Sequence, residues 1–182
     1  MPKRDEITKL EAARRQLDCA IRLYVHEDDL LAVQTLAWAA FNVLISYDKA
    51  TNSGSAWAKA MRNTPDTWSR EVANFLKHAD RDADATIPCF PELLPELLLD
   101  FAARIYENLT RRRTREMEII KFVAEARMRR HDEFEIEREW RDSILNDDEH
   151  AEQDAEDERR EAGQHRARLS VARDLLTGKM PF

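Results

Sequence analysis

Three polar residues stand four apart near the middle of this chain: Arg70, Asn74 and His78. On a helix that spacing places them in one stripe. Such a stripe has the chemistry to handle phosphate. A guanidinium grips a phosphate through paired hydrogen bonds, an amide orients it, and an imidazole exchanges a proton near neutral pH. Lys77 and Arg81 stand beside the row and would strengthen its pull on an anion. The alternative is a solvated helix face whose His78 sits near the C-terminal end, where the helix dipole favours a cation. The residues alone leave both readings open: a catalytic Arg70, Asn74 and His78, or a structural surface.

A second basic group lies further on. Residues 111–131 hold eight bases and three acids, led by Arg111, Arg112, Arg113 and Arg115. These side chains suit a nucleic acid or an acidic partner. They equally suit neutralisation within the chain, because residues 147–158 contain eight acids and no base.

Other chemistries lack their residues. Asp80-Arg81-Asp82-Ala83-Asp84 begins like a calcium loop, but Ala85 stands where glycine is needed and Pro91 where glutamate is needed. There is no His-Glu-x-x-His and no Glu-x-x-His; Asp147-x-x-His150 is the nearest approach. With only Gly54, Gly163 and Gly178, no glycine-rich phosphate loop can be built. Serines lack a Gly-x-Ser-x-Gly elbow, and neither Cys19 nor Cys89 has a histidine partner in sequence. No metal and no cofactor is expected. Two cysteines make no disulfide framework, so both read as reduced thiols.

The elements that would position these groups read as helices. The chain has 182 residues with only 3 Gly and 6 Pro, and no run of alternating β-branched residues suggests a strand. Ile7, Leu10, Leu17, Ile21 and Tyr24 share one face, which predicts a helix from about Asp5 to Val25. After a break at His26–Asp29, with Asp28 or Asp29 as cap, a second helix is expected from Leu30 to Ser46. Its alanines would admit a close neighbour, and the short break implies an antiparallel hairpin. A loop over Tyr47–Ser55 follows, then a short helix with Trp57 and Met61, and a Trp68–His78 helix opened by Thr64-Pro65. Pro91 or Glu92 opens another helix bearing Leu94, Leu98, Phe101 and Ile105. A long helix from about Thr110 to Ile144 or Leu145 is expected next, then an acidic helix or hinge. A small amphipathic helix over Arg168–Thr177 closes the series, with Gly178 as its stop.

Charge separates the chain into two parts. Residues 1–110 carry 13 Lys+Arg and 17 Asp+Glu, whereas residues 111–182 carry 16 and 19 in a much shorter length. The first part can bury a core and the second is mostly solvated. The net charge of −7 disfavours a general nucleic-acid binder. The N-terminus lacks the apolar run of a signal peptide, and Leu93–Leu99 is interrupted by Pro95 and Glu96, so the chain is expected in the cytoplasm with no membrane span.

Two stretches carry a resemblance. Lys9–Asp18 together with Ala32–Ala37, and Asn74-Phe75-Leu76-Lys77-His78-Ala79-Asp80-Arg81-Asp82, resemble a group of small bacterial all-helical proteins with no assigned activity. The likeness covers about residues 8–110. More distantly, the hairpin over 5–46 is similar to the start of HEPN domains. Those are helical bundles, many of them RNases and others nucleotide-binding or structural. Their active pattern is an Arg followed, after four to six residues, by a His. Here Arg70 and His78 are separated by seven residues, with Asn74 between them. Arg160 and His165 meet the spacing inside a segment crowded with Arg, and that match reads as coincidence.

These readings combine into an all-α, HEPN-like bundle of four or five helices over 5–128, with a long charged helical extension over 129–182. The expected function is an interaction or regulatory module that self-associates through its C-terminal helices or takes another protein partner. The alternatives are a metal-independent RNase using Arg70, Asn74 and His78, and an adaptor for nucleic acid or an acidic partner using Lys77, Arg81, Arg111, Arg112, Arg113 and Arg115.

Overall fold

The computed structural model describes residues 6–63, 72–75, 84, 86, 93–127 and 147–180. Among these the architecture is all-α, with no strand. The helices are α1 (Lys9–Val25), α2 (Leu30–Thr51), α3 (Ala56–Asn63), α4 over 72–75, α5 (Leu93–Thr110), α6 over 115–127 and α7 (Asp147–Thr177).

α1 begins at Thr8, whose extended backbone and hydroxyl satisfy the Glu11 N–H at 3.1 Å. It ends at His26 and Glu27, where Glu27 takes φ +58° and the chain reverses. Asp29 then caps α2 by accepting from Ala32 N–H at 2.9 Å. Each such cap is worth about 1 kcal/mol. The turn lays α2 against α1 as a hairpin, and α5 packs on both. Small residues set the spacing: Ala13 and Ala20 of α1, Ala37 and Ala40 of α2, and Ala102 and Ala103 of α5 are all buried. Around them Leu17, Ile21, Leu44, Leu99, Ile105 and Met117 fill one core. α2 is long and apolar enough to cross a membrane by length and composition alone. In the fold its Val33, Ala37, Ala40 and Leu44 face that core.

Several boundaries differ from the sequence expectation. α2 continues through the expected loop to Thr51 and stops at Asn52, which adopts φ +49°. The long helix expected from about Thr110 begins later, at 115, after a break at residues 111–114, and its expected run over 128–145 lies outside the described residues. Arg111 turns left-handed at φ +57°, and Thr114 caps α6 by accepting from Met117 N–H at 3.3 Å. Thr114 also donates to Asp18 of α1 at 2.7 Å, so the break is anchored to the bundle. At the other end, the acidic stretch and the small last helix form one helix, α7. Gly178 does end it, at φ +76°.

α7 does not stand apart from the core. Leu169, Ala172 and Leu175 are buried in the same cluster as α1, α2, α5 and α6. Arg173 reaches α1, donating to the Val25 carbonyl at 3.0 Å and pairing with Glu27 at 2.8 Å. Residues 159–163 of the same helix are exposed.

Candidate functional site

Two buried polar residues, Glu96 and His165, come together where α1, α5, α6 and α7 meet. Glu96 stands in the first turn of α5, beside buried Pro95 and close to buried Leu98 and Leu99, and is fully excluded from solvent. A buried carboxylate needs partners, and it has them. Tyr24 of α1 donates its hydroxyl to Oε2 at 2.5 Å. Arg127 of α6 donates Nε to Oε1 at 2.9 Å and Nη2 to Oε2 at 3.1 Å. This two-pronged contact is the strong form of the Arg–carboxylate pair.

His165 of α7 completes the group. Its Nδ1 lies 3.0 Å from Arg127 Nη2, 3.5 Å from Arg168 Nη2 and 3.9 Å from Glu96 Oε2. Arginine has only N–H groups to offer, so in these two contacts Nδ1 is the acceptor. The Tyr24 and His165 rings are tilted against each other with centroids 6.1 Å apart.

Beside this cluster lies a cavity of about 270 Å³. Tyr24, Leu30, His165 and Leu169 contribute to its lining, as do Glu27 and Asp28 from the α1–α2 turn and Ala162 and Arg166 from α7. The volume falls just below the roughly 300–1,000 Å³ typical of pockets for drug-sized ligands.

Three further carboxylates are structural in layout. Asp48 near the end of α2 accepts from Ser53, from Ser55 N–H at 3.0 Å and from Arg62 of α3. Burial pushes the Asp48 pKa up, but Arg62, Ser53 and Ser55 together outweigh it and hold it below the ordinary value. Asp18 and Asp100 go the other way. Burial raises each, more than Thr114 can lower Asp18 or Arg104 can lower Asp100.

The residues singled out from sequence are distributed otherwise. Asn74 lies on α4, exposed, next to buried Val72 and Ala73. Arg70, Lys77, His78 and Arg81 lie outside the described residues, as do Cys89 and the would-be calcium loop apart from Asp84. Arg111, Arg112, Arg113 and Arg115 are exposed around the break before α6. Arg113 pairs with Glu107, which also binds Lys121 at 3.2 Å. Arg115 donates to the Leu175 carbonyl, satisfying the C-terminal end of α7. Two of the four described members of the expected anion-binding group, Arg113 and Arg115, therefore have partners within the fold.

Sequence reasoning missed Glu96, Arg127 and His165 as a unit. Two signals were present. Glu96 is a lone carboxylate within a leucine run. His165 precedes Leu169, Ala172 and Leu176 at helical spacing, so it extends their apolar stripe. The Arg160–His165 pair is not assembled in the fold: His165 is buried against Arg127, and Arg160 is exposed.

No protein-family model, curated protein or solved structure matches this chain.

Proposed function

We propose that this chain is a helical interaction module that self-associates through the outer face of α6 and α7. The observation that carries the reading is a set of large apolar side chains left on a highly charged surface. Phe122 of α6 is 40% exposed, Val171 of α7 36% and Met180 just beyond it 43%. α6 and α7 run antiparallel, since Arg115 meets Leu175 while Arg127 meets His165. The proposed face is the solvent side of this antiparallel pair, which carries Phe122 and Val171. Packing such a face against a second copy buries those side chains, each worth about 1.5–3 kcal/mol if fully covered. A two-fold dimer is the commonest way to do this.

The first half of α7 supports the same role. Residues 147–164 contain no large apolar side chain, so this part has nothing to bury in the bundle. A helix that is polar all round bridges between bodies or relies on its own charge pairs.

Light scattering tests the proposal. The protein should give a species larger than its 21.3 kDa monomer mass. The double change Phe122→Glu/Val171→Glu should return it to a monomer with its helical circular dichroism intact. A wild-type protein that scatters as a monomer at high concentration overturns the reading.

A further inference from the structure

α2 presents an uncharged surface in a highly charged protein. Charged residues make up 36% of the chain, yet none falls between Leu30 and Tyr47. A helix this apolar normally sits in the middle of a core. Only 33% of the most apolar 18-residue stretch of α2 is buried. Its inner side, with Val33, Ala37, Ala40 and Leu44, faces the bundle. On its outer side Ala32, Thr35, Asn42 and Ser46 are exposed at helical spacing, with half-buried Ala39 midway. Larger half-buried side chains border this strip, Leu31 and Trp38 along one edge and Leu36 and Val43 along the other. Thr35 donates its hydroxyl to the Leu31 carbonyl at 2.7 Å, and Asn42 donates Nδ2 to the Trp38 carbonyl at 3.0 Å. These donors are engaged within the helix itself, which lowers the cost of covering them.

We propose that this strip packs antiparallel against the same strip of a second copy, joining two α6–α7 dimers into a tetramer. The inference rests on the self-association through α6 and α7 proposed above. Charge selects the occupant. A strip with no charge over about five turns would leave a charged partner unpaired, whereas a second copy brings an equally uncharged strip. The ends of the strip select the direction. Asp29 stands at the N-terminal end and Lys49 at the C-terminal end, both exposed, each ten residues from Ala39. Parallel packing would set like charge against like. Antiparallel packing sets each acid against a base and opposes the two helix dipoles. With Ala39 at the centre and Ala32 meeting Ser46 on either side, the two helices can approach closely. The contact is modest. A helix face about 27 Å long covers on the order of 300 Å² per copy, short of the roughly 800 Å² per partner that a standard interface buries. It therefore does not hold single chains together. A closed tetramer makes it twice, between dimers already joined, and the second contact forms at high effective concentration.

Sedimentation equilibrium on the whole chain tests this. The wild type should approach four times its 21.3 kDa monomer mass. Two double variants at the same exposed positions should then differ. Ala32→Glu/Ser46→Glu places like charges across the contact in either direction and should leave a dimer. Ala32→Glu/Ser46→Lys adds as many charges, but antiparallel packing sets each new acid against a new base, so the tetramer should persist. Both variants should keep the helical circular dichroism of the wild type. A wild type that stops at twice the monomer mass overturns the proposal and leaves the α6–α7 dimer standing, whereas a monomeric wild type removes both. The Glu/Glu protein remaining a tetramer would also overturn it, as would the Glu/Lys protein stopping at a dimer. A dimeric wild type that floats with phosphatidylcholine vesicles would assign the strip to lipid instead.

Discussion

Glu96 and Asp48 are both buried carboxylates held by an arginine, yet their partners lie at very different distances along the chain. Asp48 binds Ser53, Ser55 and Arg62, all within 14 residues. Its group shapes one corner, the passage from α2 to α3. Glu96 binds Tyr24, 72 residues before it, and Arg127, 31 residues after it, with His165 beyond. Its group joins four helices. One arrangement decides how the chain turns, whereas the other decides which helices meet. Both carry the desolvation cost of a buried charge, and that cost is recovered only while every partner is in place.

Breaking the long-range group should therefore have the largest effect. Glu96→Ala leaves Arg127 and the Tyr24 hydroxyl without their acceptor and should cost about 3 kcal/mol. Urea unfolding measures this, and exchange protection should fall on α7 as well as α5. If α7 keeps its full protection, the cluster does not tie that helix in. Asp48→Ala should cost less, about 2 kcal/mol, with lost protection confined to residues 52–63. A loss that spreads to α7 would erase the contrast between local and long-range groups.

The smallest effect concerns pH and separates Asp48 from Asp18. The Asp48 pKa is held below 3.8, so its contribution is present above that pH and is lost as pH falls through the lowered value. The stability gap between wild type and Asp48→Asn should widen as pH rises toward 3.8. The Asp18 pKa is raised above 3.8 by burial, so the native form holds its proton longer than the unfolded chain. The wild type should then lose stability relative to Asp18→Asn as pH climbs above 3.8. Urea titrations at a series of pH values read both slopes, and slopes of the same sign would contradict the assignment.

Much of the helical framework was legible from spacing and caps. Leu10, Leu17, Ile21 and Tyr24 marked α1, although Ile7, expected on the same face, lies before the Thr8 cap and is exposed; Asp29 marked the start of α2, and Gly178 the end of α7. A boundary between two helices was legible near Thr110, but the four-residue break at 111–114 was not, because left-handed backbone usually announces itself with glycine and here an arginine adopts it. Thr114 was the remaining clue, and its value as a cap depends on Asp18, a contact made 96 residues away. The extent of α7 was obscured for another reason. Its first half has no apolar stripe to reveal a period, and only the acidic composition stood out. The candidate site was least visible of all. Glu96, Arg127 and His165 are unremarkable one by one, and their meaning arises only where four helices converge.

The bond from Arg173 to the Val25 carbonyl spans 148 residues. In vectorial synthesis, α1 leaves the ribosome long before α7 exists to cover it. The hairpin of α1 and α2 can assemble promptly because its contacts are local, but the strip that Leu169, Ala172 and Leu175 will occupy stays wet in the interval. The nascent protein therefore passes through a stage with a greasy furrow open to its surroundings, and that furrow is where a chaperone would find it.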